Sequence, residues 1–371
     1  MKVRTSKKIP LSSAKNILIR GTNWIGDAVM TLPAVAAVRN TFPGARISIL
    51  VKPWVAEIFH LCKDIDEVIC FQSPGVHSGI SGKLRLAAEL KDRRFDAAIL
   101  LQNAIEAAII AWLAGIPIRA GYNSDGRGML LTHSVQRTEA IRQVHQIKYY
   151  LEMVKSLGCL SAETGVNLNP GIECNILAEK LFDKFSIGKK IPIIGLAPGA
   201  TYGPAKRWFP ERFAAVADRL IDNLSAQAIL LGSSEDRKSA DSVEQNARHR
   251  LINLAGKTSL KETIAIISRC DLFISNDSGL MHIAGALNIP TVAVFGSTNP
   301  VTTSPVGDKS VVIYKDTSCS PCLKETCPTD FRCMDMISVE EVYETAKKLI
   351  TGSLHCGETK ITSFHCEEAE G

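Results

Sequence analysis

The residues best suited to chemistry lie between Cys270 and Pro300, in CDLFISNDSGLMHIAGALNIPTVAVFGSTNP. At its centre Asn276-Asp277-Ser278-Gly279 interrupts an apolar run and precedes Leu280 to Leu287, whose pattern predicts a short helix. The amide N–H groups of Ser278, Gly279 and Leu280 at such a helix start lack intrahelical partners, and with the helix dipole they favour an anion. Gly279 carries no Cβ to keep a phosphate off the backbone. Asp277 would repel a diphosphate directly, so beside one its carboxylate fits sugar hydroxyls instead. His282, one turn further on, either donates to a phosphate or packs. The competing reading is an ordinary helix start at which Asp277 or Ser278 caps the free N–H groups.

Three other loops carry polar groups of the same kind. APGATYGPAKRWFP (197–210) supplies cations at Lys206 and Arg207, with Gly199, Gly203 and Pro204 allowing a close approach. LGSSEDR (231–237) places Glu235 and Asp236 after a strand, where a carboxylate accepts from ribose hydroxyls. GTNWIGD (21–27) follows the first strand, but it lacks the G-x-G-x-x-G spacing of a dinucleotide fingerprint. A nucleoside joined to a sugar through a diphosphate satisfies the loops 197–207, 232–237 and 276–280 together.

These residues need a scaffold that brings several loops to one edge. Apolar runs at 16–20, 46–51, 67–71 and 96–101 alternate with helical patterns at about 27–40, 54–61, 83–93 and 104–113, and a long helix is expected over 140–157. Pro33 should kink the first helix or divide it into separate turns. His145 is expected to pack or cap. Residues 161–172 (SAETGVNLNPGI) are polar and rich in glycine and proline, as a linker is. Beyond them strands at 191–196, 226–231, near 252, 271–275 and 291–295 alternate with helices, the last an amphipathic one over 338–351. Alternation of this kind means parallel sheets covered by helices, whose ligands sit outside the carboxyl ends of the strands.

The totals fit two soluble domains. The chain has 371 residues, 46% of them hydrophobic, and a mean hydropathy of +0.08. Net charge is +5, from 43 basic and 38 acidic residues, an excess that suits anionic substrates or an anionic membrane surface. It is too small and too scattered for nucleic acid. No stretch approaches the ~18 apolar residues of a membrane span. The N-terminus, MKVRTSKKIPLSSAK, has no apolar run of a secretory signal, so a cytoplasmic protein is expected. The eleven cysteines then read as reduced thiols. Cys319, Cys322, Cys327 and Cys333 begin with a metal-like pair but continue with irregular spacing, and simple packing is the reading preferred over a structural metal or a redox pair.

Taken together, RGTNWIGDAVMTLP (20–33), APGATYGPAKRWFP (197–210), NDSGLMHIAGALNIPTVAVFGSTNP (276–300) and CSPCLKETCP (319–328) resemble the ADP-heptose glycosyltransferases of lipopolysaccharide core assembly, over roughly residues 15–350. The resemblance implies a GT-B fold: two Rossmann-like domains facing a central cleft, with the C-terminal helix crossing back to the first domain. The segments would be a disordered lead-in (1–13), an acceptor-binding domain (14–160), the linker (161–172), an ADP-heptose-binding domain (173–337), the crossover helix (338–352) and a disordered tail (353–371). It implies inverting transfer of L-glycero-D-manno-heptose from ADP-heptose to the first heptose of Kdo-lipid A, with no cofactor and no catalytic metal. The family's general base falls on Asp27, with helix capping as its alternative, and its diphosphate lysine on Lys206. Asp277 grips the sugar, while the amides of Ser278, Gly279 and Leu280 meet the phosphates; His282 is the further donor-binding candidate of that helix. Thr201 adds a hydroxyl, Glu235 holds the nucleoside, and Asn23, Trp24 and Gly26 face the acceptor. Arg46, Lys52, Lys83, Arg85, Lys91, Arg93, Arg94, Arg119 and Arg127 either meet acceptor phosphates and carboxylates or are solvated helix faces. Work at the cytoplasmic face of the inner membrane, with peripheral contact to its inner leaflet, follows from the acceptor. A related enzyme with another acceptor, a GT-B nucleotide-sugar epimerase and a nucleotide-binding protein without catalysis are the alternatives.

Overall fold

The structure, a computed structural model, describes residues 2–5, 14–160, 165–166, 168–352 and 360–362. The chain divides between Val166 and Asn167, inside the expected linker. Each unit is built on a seven-stranded sheet.

In the first unit the strands are β1 (Val3–Thr5), β2 (Asn16–Arg20), β3 (Arg46–Val51), β4 (Glu67–Cys70), β5 (Ala97–Leu100), β6 (Ile118–Tyr122) and β7 (His133–Val135). Their order is β1-β7-β6-β5-β2-β3-β4, parallel except where β1 meets β7. Residues 3–5 of the expected lead-in are thus an edge strand rather than disordered, paired from Val3 with Val135 to Thr5 with His133. The chain runs outward from β2 in both directions, so β2 and β5 flank the topological switch point. Val29, Ala34 and Val38 bury one helical layer, and Leu86, Leu90, Ala108 and Ile110 bury the opposite one against Leu18, Leu50 and Leu100.

Pro33 divides the first helix as expected. The helices Ile25–Met30 and Leu32–Thr41 meet at Thr31, and the proline occupies the first turn of the second, where its missing N–H costs nothing. The long helix expected over 140–157 is also two, Glu139–Arg142 and Gln146–Ser156. His145 caps the second, its Nδ1 accepting from the Ile147 N–H at 3.2 Å.

The second unit holds β8 (Ile193–Ala197), β9 (Gln227–Leu230), β10 (Ile252–Asn253), β11 (Leu272–Asn276), β12 (Thr291–Phe295), β13 (Ser310–Tyr314) and β14 (Lys360–Thr362). All pairs are parallel in the order β10-β9-β8-β11-β12-β13-β14, and the switch point lies between β8 and β11. The helix Gly171–Phe185 and β13 escaped the sequence reading, as did the short helices Pro300–Thr303 and Arg332–Asp335. Residues 360–362 of the expected disordered tail pair with β13, and the rest of that tail lies outside the described residues. The final helix, Val339–Ile350, was expected to cross to the first domain. It packs within its own unit, on the helix Pro210–Leu224 and against β11 and β12, burying Val342, Tyr343, Ala346 and Leu349 in that core.

Candidate active site

The loops after β8 and β11 are tied together by one side chain. Asn276 ends β11 fully buried; its Nδ2 donates to the Pro198 carbonyl at 2.8 Å, and its Oδ1 accepts from the Trp208 N–H at 3.0 Å. Trp208, itself buried, donates its indole N–H to the Ile337 carbonyl at 3.1 Å. The stretch from Pro198 to Trp208 is therefore pinned at both ends, and Lys206 lies just before the second pin. Its Nζ sits 2.6 Å from Asp277 Oδ2, and the Thr298 hydroxyl donates to the same oxygen at 2.6 Å. Asp277 is 6% exposed, so the two donors compensate a charge that would otherwise be costly to bury. The Lys206 ammonium also lies 5.1 Å above the Tyr202 ring.

Ser278 opens the helix Gly279–Ala286 with extended backbone, yet its side chain makes no capping bond. Its hydroxyl pairs with that of Ser275 at 2.9 Å. Asp277 is held by Lys206 and Thr298, so the capping reading falls for both residues. The helix start keeps its N–H groups at the carboxyl end of the sheet, one residue from the Lys206–Asp277 pair. His282 is buried on the same helix.

The segment carrying the cysteines braces this site by its backbone. The Glu325 carbonyl accepts from the Ala205 N–H at 3.0 Å, the Leu323 carbonyl accepts from the Tyr202 hydroxyl at 2.7 Å, and the Leu323 N–H donates to Ser297 at 2.8 Å. Gly203 makes the approach possible: its φ is +155°, and a Cβ there would overlap the Glu325 carbonyl. Among the described residues no group of three His, Cys, Asp or Glu side chains is arranged to hold a metal ion. Cys319 is exposed, while Cys333 is buried and its thiol is pushed up to about 11, mainly by that burial.

The adjacent acids after β9 separate cleanly. Asp236 Oδ2 accepts from the Ser233 N–H at 3.0 Å and its hydroxyl at 2.8 Å, and its side chain fills the space beside Gly199 that a Cβ would need. Glu235 is exposed, and its own backbone N–H, with the Ser233 and Ser234 hydroxyls, holds its carboxyl below the usual glutamate value. Thr201 is exposed on the lysine loop.

In the first unit the polar residues again follow the switch-point strand. Asp27 is half-buried in the first turn of the helix Ile25–Met30, where a carboxylate suits the dipole. Tyr150 is buried near it, its phenol pushed well above the usual value by burial and then by the Asp27 charge. Arg20, at the end of β2 and 2% exposed, donates to Asn23 Oδ1 at 2.9 Å and to the Leu50 carbonyl at 3.2 Å. Burial lowers its guanidinium to about 10, which leaves it charged at neutral pH. The Asn23 carbonyl accepts from the Trp54 indole at 2.7 Å. Lys52 lies 3.7 Å above the Phe71 ring, donating to the Ser73 carbonyl at 2.8 Å. Trp24 is 63% exposed, and Gly26 is half-buried beside it.

Sequence reasoning missed Arg20, Thr298 and the fork made by Asn276. Only Arg20 left a signal, a cation closing an apolar strand. Several basic residues proposed for the acceptor are structural: Arg46 and Arg93 pair with Glu67, Arg119 donates to the Leu130 carbonyl at 2.7 Å, and Arg127 is fully buried, donating to Tyr122 at 2.8 Å.

Two doubly wound units, each with its polar site at the switch point, have the architecture of the GT-B glycosyltransferases. Residues 83–331 match the sequence pattern of glycosyltransferase family 9 (heptosyltransferase). The lipopolysaccharide heptosyltransferase 2 of Escherichia coli K12 is 31% identical over 308 residues, 80% of this chain and 87% of that one. The lipooligosaccharide heptosyltransferase 2 of Haemophilus influenzae is 32% identical over 311 residues, 80% and 88% of the two chains. Among solved structures, the E. coli ADP-heptose lps heptosyltransferase II aligns with a TM-score of 0.78 at 26% identity, covering 91% of this chain and 99% of the other. A family 9 glycosyltransferase from Veillonella parvula shares the fold with a TM-score of 0.83 at 24% identity, covering 94% and 100%. The chain belongs to glycosyltransferase family 9, the heptosyltransferases, and is an enzyme of heptosyl transfer in lipopolysaccharide core biosynthesis.

Proposed function

We propose that this enzyme moves L-glycero-D-manno-heptose from ADP-heptose onto the first heptose of a Kdo-lipid A acceptor, with inversion at the anomeric carbon. The observation that carries this reading is Lys206, paired with Asp277 one residue from the start of the helix Gly279–Ala286. An ammonium and a row of backbone N–H groups at one strand end suit a diphosphate. Asp277 and Thr298 offer a carboxylate and a hydroxyl to the sugar, and the exposed Glu235 suits the ribose hydroxyls.

Asp27 takes the proton from the acceptor hydroxyl as its oxygen bonds to the anomeric carbon. The bond from that carbon to the diphosphate oxygen breaks, and the electron pair leaves with ADP. Lys206 and the helix start stabilise the charge that grows there. These groups supply the positive charge without a resident metal or cofactor. Asn23, Trp24 and Gly26, next to the buried Arg20, suit an anionic sugar acceptor. Such an acceptor is lipid-anchored, which places the work at the cytoplasmic face of the inner membrane through peripheral contact.

The test is ADP release from ADP-heptose with defined heptose-truncated lipopolysaccharide acceptors. Turnover is expected with an acceptor ending in a single heptose and not with one lacking heptose. Equal turnover with both, or with neither, removes the proposed acceptor.

A further inference from the structure

The helix Ile105–Leu113 departs from what a surface helix needs. Its sequence, IEAAIIAWL, has one polar side chain, Glu106, and that carboxylate pairs with Lys83 at 2.7 Å. Ala107, Ala108, Ile110 and Ala111 fill its inner side. The outer side is apolar as well: Ile105, Ile109, Trp112 and Leu113 are all exposed, Trp112 by 53%. A helix apolar on every side ordinarily lies in a core or in lipid. The neighbouring helix Gly79–Asp92 shares its core cluster through Leu86, Ala87 and Leu90, and it extends the face with Ile80, 81% exposed, and Leu84 one turn on.

Charge decides what covers this face. Lys91 follows Leu84 by two turns on the same flank, and Arg85 and Arg94 are exposed on the same helix and its end. Against these three cations stand two acids of the same helix, Glu89, which meets His77 at 3.3 Å, and Asp92. Apolar anchors that include a tryptophan, bordered by lysine and arginine, combine the two attractions that hold a protein on an anionic bilayer. Among the described residues no helix is long and apolar enough to cross one.

We propose that the outer face of the helices Gly79–Asp92 and Ile105–Leu113 docks on an anionic lipid surface. Trp112, Ile109, Ile105, Ile80 and Leu84 enter the headgroup boundary, and the basic residues meet lipid phosphates. The proposal rests on the reading above, that the acceptor is lipid-anchored, and it names the surface that reaches it.

The test is co-sedimentation of the full chain with vesicles of phosphatidylglycerol in phosphatidylcholine, and of phosphatidylcholine alone. The natural chain sediments with the anionic vesicles. Ile109→Asp with Trp112→Asp lowers partitioning by about tenfold or more, and Trp112→Gln, a milder change that keeps the test valid if the double variant misfolds, lowers it less. Lys91→Glu with Arg94→Glu weakens binding to the anionic vesicles only. Ile172→Asp, at a still more exposed apolar position in the second unit, changes nothing. ADP release with a lipid-free acceptor fragment is the same in the variants at Ile109, Trp112 and Ile172. The proposal is overturned if the natural chain stays in solution, or if the double variant and Trp112→Gln both sediment like it. It is also overturned if the natural chain is a dimer that the double variant disperses, which gives the face to a second copy. A chain that binds vesicles through this face yet releases no ADP overturns the proposed function and leaves the docking face standing.

Discussion

The two switch points solve opposite problems with similar parts. After β8 and β11 the cation Lys206 is matched with the carboxylate Asp277, and the loops are locked by Asn276, Trp208 and the Glu325 carbonyl. At the ends of β2 and β3 the cations Arg20 and Lys52 rest on carbonyls and the Phe71 ring, and the exposed Trp24 follows β2. An ion pair can exchange its internal partner for a ligand, at little net change in buried charge. Cations satisfied by carbonyls remain positive whatever binds. Under the proposed function the first site opens onto a diphosphate, and the other presents a standing positive charge with a carboxylate, Asp27, at its margin.

That difference predicts distinct kinetic signatures. Asp27→Asn should lower kcat by ~10²–10⁴ and leave ADP affinity unchanged, because it removes proton transfer alone. Weakened ADP binding, measured by calorimetry, would erase the division between the units. Lys206→Ala should lower kcat by ~10² and also weaken ADP binding. Identical ADP affinity before and after would mean the lysine serves only Asp277.

Thr298→Val tests the hydrogen bond that the sequence did not disclose. It should cost about tenfold in kcat/KM with donor, the scale of one bond to a charged group, while Asp27-dependent steps are untouched. No change would show that Lys206 alone holds the carboxylate. A separate effect is in stability. The half-buried thiol of Cys62 and the buried one of Cys159 in the first unit, and the buried Cys333 in the second, are each raised from 9.0 to about 11. The folded chain therefore keeps protons that the unfolded chain loses, and the stability these thiols contribute, full below pH 9, should decline as pH rises towards 11. Urea midpoints at pH 8 and 10.5 measure it, and Cys333→Ala should reduce the decline; a flat profile would mean the thiols are open to solvent.

Alternation of apolar runs made most of both sheets legible, because strands buried on two faces leave near-continuous hydrophobic stretches. β3 and β12 fall where the pattern puts them. β1, β6 and β7 did not declare themselves: β1 and β7 are three residues each, and β6, IRAGY, interrupts its apolar run with Arg119 and Gly121. The stretches of the candidate site were readable because glycines and a charge after a strand have few other uses. Thr298 and the Asn276 fork were not, since their meaning lies in partners distant in sequence. The cysteine spacing drew attention to sulfur, whereas the contacts at the lysine loop come from the Leu323 and Glu325 carbonyls between the cysteines.

Chimeras between relatives inherit a constraint from that bracing. Residues 198–208 are fastened to the carbonyls of Leu323, Glu325 and Ile337 by the Tyr202 hydroxyl, the Ala205 N–H and the Trp208 indole, so the stretches must travel together in any graft. A recombinant joined between them pairs a lysine loop from one parent with a foreign buttress, and loses its fit even where every functional side chain is retained.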